Sequence, residues 1–163
     1  MQLLVSRAST PVGDVVAWST DAGVCALGWS DAEEELEAML ERRFGPWKKR
    51  GRDGELRKAL VRYVNGDADA LKDTKIDVDG TEFQLEVWKR LRTIPVGKTM
   101  SYAELAKKVG SSPRAVGNAN GRNPVSIIVP CHRVIGSDGS LTGYAYGTKR
   151  KAWLLEHEKS FGD

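Results

Sequence analysis

The chain has 163 residues, 40% of them hydrophobic and 29% charged, which suits a soluble globular protein of one domain or two small ones. No run approaches the length of a transmembrane helix, the amino terminus has no signal-peptide pattern, and two cysteines do not make a disulfide framework. These features exclude a membrane protein and a secreted disulfide scaffold, and predict a reducing compartment, the cytoplasm or a nucleus. The net charge of +3 is unevenly divided: residues 1–79 carry 12 Lys and Arg against 15 Asp and Glu, residues 80–163 carry 13 against 7. A basic second half is the footprint expected for a polyanion partner, although many solvated surfaces are basic.

The chain opens as a meander of short strands. Leu3 to Val5, Val15 to Ser19 and Val24 to Trp29 are separated by turns at Thr10-Pro11-Val12-Gly13 and Asp21-Ala22-Gly23. Cys25 lies in the third strand among apolar neighbours and reads as packing. Ser30 with Glu33 has capping-box spacing for a helix carrying Leu36, Met39 and Leu40 and stopped by Gly45-Pro46. Lys48 to Asp53 reads as a solvated basic loop. Leu56, Leu60, Tyr63 and Val64 mark a second helix ending at Asn65-Gly66. Residues 1–73 thus form an α/β domain with a small antiparallel sheet, and residues 74–80 a linker or short extended segment.

Residues 81–163 read differently. Thr81 and Gln84 make a capping box for a helix with Phe83, Val87, Trp88 and Leu91 on one face, ending before Pro95. Ser101 caps a helix from Tyr102 to Val109 that Gly110 closes, and Ser112 with Pro113 starts another running to about Asn120. Helix, glycine turn, helix is the helix-turn-helix pattern. The second helix has small side chains at Ala115, Gly117 and Ala119, suited to close approach to another surface or to a neighbouring helix. A hairpin is predicted around Gly136 to Gly139, then a glycine-rich loop with Tyr144 and Tyr146. A last helix starts near Thr148, with Trp153, Leu154 and Leu155 apolar.

The chemistry concentrates at Pro130-Cys131-His132-Arg133-Val134. The apolar run Ile127-Ile128-Val129 before it reads as a buried strand. A thiol needs help to lose its proton, and an imidazole is the usual helper. Neighbouring side chains on a strand point to opposite faces, so either the backbone turns here or a water carries the proton. The plainer reading is that Cys131 is one more small buried hydrophobe.

This stretch, with Thr93-Ile94-Pro95, Ser101-Tyr102, Arg114-Ala115-Val116-Gly117, Asn118 to Pro124, Gly143-Tyr144 and Trp153 to Glu158, closely resembles the motifs of the O6-alkylguanine-DNA alkyltransferases. The resemblance covers nearly all of residues 80–163 and is only general before that. It implies an RNase H-like amino-terminal domain and a mainly α winged-helix domain that bears the active site. It implies irreversible transfer of an alkyl group from O6-alkylguanine, and also O4-alkylthymine, to Cys131. His132 would be the base, oriented by Glu158; Tyr102 would donate to the departing base, and Asn123 would brace the turn. Arg114 would fill the gap left by a flipped nucleotide. Ser101, Tyr102, Ala115, Gly117 and Ala119 would line a sequence-independent minor-groove contact with double-stranded DNA. Ser126, Val129, Pro130, Tyr144, Ala145 and Tyr146 would form the pocket. The resemblance implies a monomer without cofactor. Some family members hold a structural zinc near the amino terminus; the first half here has Cys25 and no histidine, too few ligands for one. Tyr146 stands where glycine is common, and Ala145 where several relatives have a hydroxyl. A winged-helix, thiol-based regulator would also combine a DNA-binding helix with one reactive cysteine, but would not need Arg114 or Glu158. A thiol hydrolase would use Cys131 and His132 without DNA.

Overall fold

β1 (Gln2–Thr10), β2 (Gly13–Thr20) and β3 (Gly23–Trp29) form the expected antiparallel meander, in register from Leu4 against Ser19 to Thr10 against Gly13. The computed structural model describes residues 1–161 and contains two compact units, Met1–Val78 and one from Asp79 onward.

In the first unit the sheet order is β3-β2-β1-β4, and it is mixed, where an antiparallel sheet was expected. β4 (Lys48–Gly51) runs parallel to β1 along its open edge. Its lysines and arginine are exposed and held by backbone bonds, so no apolar alternation announces it and the segment reads as a loop. α1 (Glu33–Phe44) packs Leu36 and Leu40 against Leu3, Val5, Val16, Trp18 and Cys25. Ser30 does not cap it. The chain leaves β3 through a 3₁₀ turn, Ser30–Ala32, so the helix starts late and has no side-chain cap. α2 (Gly54–Val64), capped by Asp53, buries Leu56, Leu60 and Tyr63. Ile76 forms a parallel bridge with Val24, and Asp77 accepts from Thr20 Oγ1 (2.5 Å) and Arg43 Nη2 (2.8 Å), which covers the β3 edge. Cys25 is buried with its thiol pushed up to about 11 by burial, an inert packing residue.

Among the described residues the second unit has four α-helices. α3 (Glu82–Leu91) begins at the Thr81–Gln84 capping box, α4 (Tyr102–Val109) at Ser101, and α5 (Pro113–Gly121) at Ser112. Gly110, in left-handed conformation, ends α4. Trp88 Nε1 donates to the Ala119 carbonyl (2.8 Å), locking α3 to α5. No hairpin forms at Gly136–Gly139. Instead β6 (Val134–Ile135) pairs in parallel with β5 (Met100–Ser101), and residues 136–140 close a tight turn by the Gly136 N–H bond to Ser140 O (2.9 Å). Two residue pairs suffice to hold the start of α4 beside the segment that leaves Cys131. α6 (Thr148–Lys159) buries Lys151, Leu154 and Glu158 at i, i+3 and i+7, while Trp153 and Leu155 are half-buried. Among the described residues no helix is long and apolar enough to cross a membrane.

Gly23 fixes the edge of the first unit. Its φ is +151°, and a Cβ there would lie 2.6 Å from the Lys75 carbonyl oxygen. Gly23→Ala should destabilise this unit by about 1–3 kcal/mol through strain and displaced backbone. A urea transition of the variant should show a lower midpoint; an unchanged one would mean that residues 75–77 move aside freely.

Candidate active site

Asn123 builds the turn that carries the cysteine. Its Oδ1 accepts from Val125 N (2.9 Å) and its Nδ2 donates to Val129 O (2.7 Å), one side chain spanning six residues. The apolar run 127–129 inside this bracket is not a strand. It is a succession of turns, closed by Ile128 N to Ser126 O (2.8 Å) and Val129 N to Val125 O (3.0 Å). Ile127 is forced to φ +71°, a conformation that β-branched residues avoid and that costs on the order of 1–3 kcal/mol. Pro130, at φ −82° and ψ 66°, then forms an inverse γ-turn with Cys131 N bonded to Val129 O (2.8 Å). Cys131, His132 and Arg133 follow as a single 3₁₀ turn. The backbone therefore turns at the cysteine, which removes the opposite-face objection that a strand would raise.

The side chains of that turn enter a buried polar cluster. His132 is fully buried and its Nε2 lies 2.9 Å from Glu158 Oε2. A carboxylate can only accept, so the bond assigns the proton to Nε2 and leaves Nδ1 as the bare lone pair. Nδ1 has no hydrogen-bond partner among the described residues. Arg133 grips the same carboxylate with Nε (2.8 Å) and Nη2 (3.0 Å) and donates from Nη1 to Ile94 O (2.7 Å). Burial alone would raise Glu158, but its contacts with His132 and Arg133 hold it well below the usual carboxylate range. Burial lowers His132 below 6.5 in spite of Glu158. His132 is thus neutral near pH 7, and Arg133 is the cation that keeps Glu158 ionised.

Cys131 is 6% exposed. Burial pushes its thiol up, partly opposed by the Asn123 amide, the Lys151 charge and Ser126. At rest it is protonated. Its carbonyl accepts from Asn120 Nδ2 (3.2 Å) and from the Val134 N–H, and Val129 O accepts from Asn123 Nδ2 as well as from Cys131 N, so both carbonyls are fixed twice over. Tyr102 opens α4 beside this turn and donates its hydroxyl to Thr142 O (3.1 Å). Burial first, and then the Cys131 charge, raise its phenol. Gly143 is required here, because a Cβ would sit 2.6 Å from the Tyr102 oxygen. Ser126, Val129, Pro130 and Tyr144 are buried around the turn; Ala145 is exposed and Tyr146 half-exposed, its ring 5.8 Å from that of Tyr144.

The residues expected to meet DNA do not all share a surface. Arg114 is exposed on the first turn of α5, and Ala115 and Gly117 are half-exposed, Gly117 lying over the Tyr102 ring. Ala119 is 2% exposed and turned inward under Trp88, so its small size serves helix packing. The Ser101 hydroxyl is engaged as the α4 cap. Asn120, Arg133 and Lys151 were not legible as site residues. The signal available was the i, i+3, i+7 spacing of Lys151, Leu154 and Glu158, which puts two charges on a buried helix face. Among the described residues no group of three or more His, Cys, Asp or Glu side chains could hold a metal ion.

A buried cysteine followed by a histidine locked to a buried glutamate defines a thiol-based site. Residues 82–160 match the family described as 6-O-methylguanine DNA methyltransferase, DNA binding domain. The chain is 40% identical to a methylated-DNA–protein-cysteine methyltransferase of Shigella flexneri, over 97% of this chain and 96% of the relative. It superposes on the Mycobacterium tuberculosis O6-methylguanine methyltransferase with a TM-score of 0.82 and 37% identity, covering 99% and 95% of the two chains. It also superposes on Mycobacterium tuberculosis OGT in complex with DNA, with a TM-score of 0.76, 37% identity and 98% and 94% coverage. The chain belongs to the methylated-DNA–protein-cysteine methyltransferase family.

The cluster has a pH signature. The unfolded chain takes up protons on His132 below 6.5 and on Glu158 below 4.5, and the fold resists both. Stability is therefore present above those values and lost as pH falls, by at most about 1.4 kcal/mol per pH unit for each group. Glu158→Gln should cost about 3–5 kcal/mol at pH 7, since Arg133 stays buried without its anion. The same variant should lose less with acid below 4.5 than the wild type. Urea unfolding from pH 7 to the acid limit checks this; a wild-type slope in the variant would place the sensitive carboxylate elsewhere.

Proposed function

We propose that this chain repairs DNA by direct reversal, taking the alkyl group from O6-alkylguanine, and also from O4-alkylthymine, onto Cys131 once per molecule. The observation that carries the reading is the bare Nδ1 of a neutral His132 locked by Glu158, one residue from a buried thiol. His132 accepts the thiol proton through a water, and Glu158 and Arg133 stabilise the imidazolium that results. The thiolate attacks the alkyl carbon in line; the S–C bond forms as the C–O6 bond breaks. The electron pair left on the guanine is met by a proton from Tyr102, which regains it from the solvent-connected pool that His132 feeds. In net terms the thiol proton ends on the base and no cofactor is needed. The Val129 and Cys131 carbonyls would serve the exocyclic amine as shared acceptors, and the Ala145 N–H suits O6. Tyr146 narrows the slot beside Tyr144.

A cysteine 6% exposed is out of reach of a stacked base, so the nucleotide is extruded, at a cost of a few kcal/mol. The α4–α5 pair is read as the helix-turn-helix of a winged-helix domain, and the first unit as RNase H-like. Arg114, exposed on the first turn of α5, fills the vacated stack, while Ala115 and Gly117 allow a close, sequence-independent minor-groove approach by a monomer. The relatives are named as methyltransferases, which gives no support to the regulator reading.

A thioether is not hydrolysed under mild conditions, so methyl transfer from DNA containing O6-methylguanine should stop at one equivalent. Intact-mass and peptide analysis should find a single methyl on Cys131, and Cys131→Ala should bind DNA without transfer. Repeated turnover, or a label elsewhere, would overturn the mechanism. Arg114→Ala should slow repair of duplex by about 10-fold or more, since a few kcal/mol of extrusion loses its support, and leave reaction with the free modified base nearly unchanged. Equal slowing on both substrates would put Arg114 in the pocket.

A further inference from the structure

Lys151 is a lysine with no exposed surface, in the first turn of a helix. Both placements are unfavourable: lysines are almost never fully buried unless paired, and a cation at a helix N-terminus opposes the helix dipole. No carboxylate among the described residues forms an ion pair with it, and Glu158 is already answered by Arg133. Its Nζ is held by neutral groups only, the Val134 carbonyl (2.5 Å) and the Thr142 carbonyl (3.0 Å), with the Tyr102 ring centroid 5.7 Å away. Val134 directly follows the Cys131–Arg133 turn, and Thr142 O also receives the Tyr102 hydroxyl. One ammonium thus ties the nucleophile's turn, the loop before Tyr144 and the proposed proton donor together.

We propose that Lys151 is a positioning residue for the transfer, the fixed counter-charge of the Cys131 thiolate and the clamp that holds the Thr142 carbonyl on Tyr102. This rests on the function proposed above. A buried cation balanced only by dipoles is poised for an anion that is present part of the time, and the sulfur supplies one when its proton passes to His132. The charged and titratable groups that bear on the pair are Cys131, His132 and Arg133 from the turn, Tyr102 from α4 and Glu158 from α6. Of these only the Cys131 sulfur becomes, on losing its proton, an anion with no cation already bonded to it. The influence is mutual: the cation favours the thiolate, and the thiolate favours the cation. In the transfer the sulfur's electron pair becomes the S–C bond, the C–O6 pair leaves with the base, and the thioether is neutral. The clamp explains why Gly143 must follow Thr142, since the loop is drawn onto the Tyr102 oxygen.

Lys151→Met removes the charge at nearly constant volume and should fold, because replacing buried charge by apolar side chains is often neutral or stabilising. The pH midpoint for alkylation of Cys131 by iodoacetamide, read in a Cys25→Ser background, should rise. The rate at neutral pH should fall about tenfold for each unit of that rise. Lys151→Arg should restore the midpoint. A folded Met variant with the wild-type midpoint would overturn the proposal, even if repair were lost, because a merely structural lysine would not move the thiol. A second measurement needs no change at Lys151: by lysine Nζ NMR, Cys131→Ser should lower the ammonium's own titration midpoint, and an unchanged midpoint would overturn the proposal equally. Neither reading uses DNA, so a failure here is separable from a failure of the repair reaction.

Discussion

The second unit depends on one carboxylate. Glu158, 1% exposed, accepts two bonds from Arg133 and one from His132, and those partners come from consecutive residues of a single 3₁₀ turn. A buried carboxylate is costly unless its lone pairs are met, and the bidentate guanidinium meets most of that cost. The remaining contact fixes the imidazole tautomer. One ion pair therefore joins α6 to the cysteine turn and sets the protonation state of the base. Charge at Glu158 and reactivity at Cys131 are linked through His132, with no direct contact required.

The rest of the unit holds that turn in an unfavourable shape. The left-handed Ile127 and the γ-turn at Pro130 persist because Asn123 brackets residues 125–129 and Asn120 holds the Cys131 carbonyl. The two-residue β5–β6 pairing then places Tyr102 at the turn's exit. Apolar packing from Val116, Leu105 and Leu91, all buried, supplies the rigid backing. Strain four residues before a reactive cysteine, supported by a packed scaffold, is an arrangement that fixes a nucleophile before its substrate arrives.

Much of this was legible in the residues. Capping boxes, glycine stops and proline starts located α3, α4 and α5, since those signals are local hydrogen bonds. The motif at Cys131 and the resemblance it carries named the chemistry. What failed was set by distant partners. The run 127–129 is apolar because it is buried, and burial alone does not separate a strand from turns bracketed by a side chain at 123. β4 has no apolar face because edge pairing with β1 needs none. Ala119, expected at the DNA contact, packs under Trp88, and nothing local to Lys151 announces its burial.

The central claim is that His132 rests neutral, with its proton on Nε2 and its lone pair on Nδ1. Nitrogen-15 NMR of the imidazole near pH 7 reads this directly. A protonated Nε2 and an unprotonated Nδ1 are expected in the wild type, with the preference weakened in Glu158→Gln. A proton on Nδ1, or an imidazolium at rest, would contradict it.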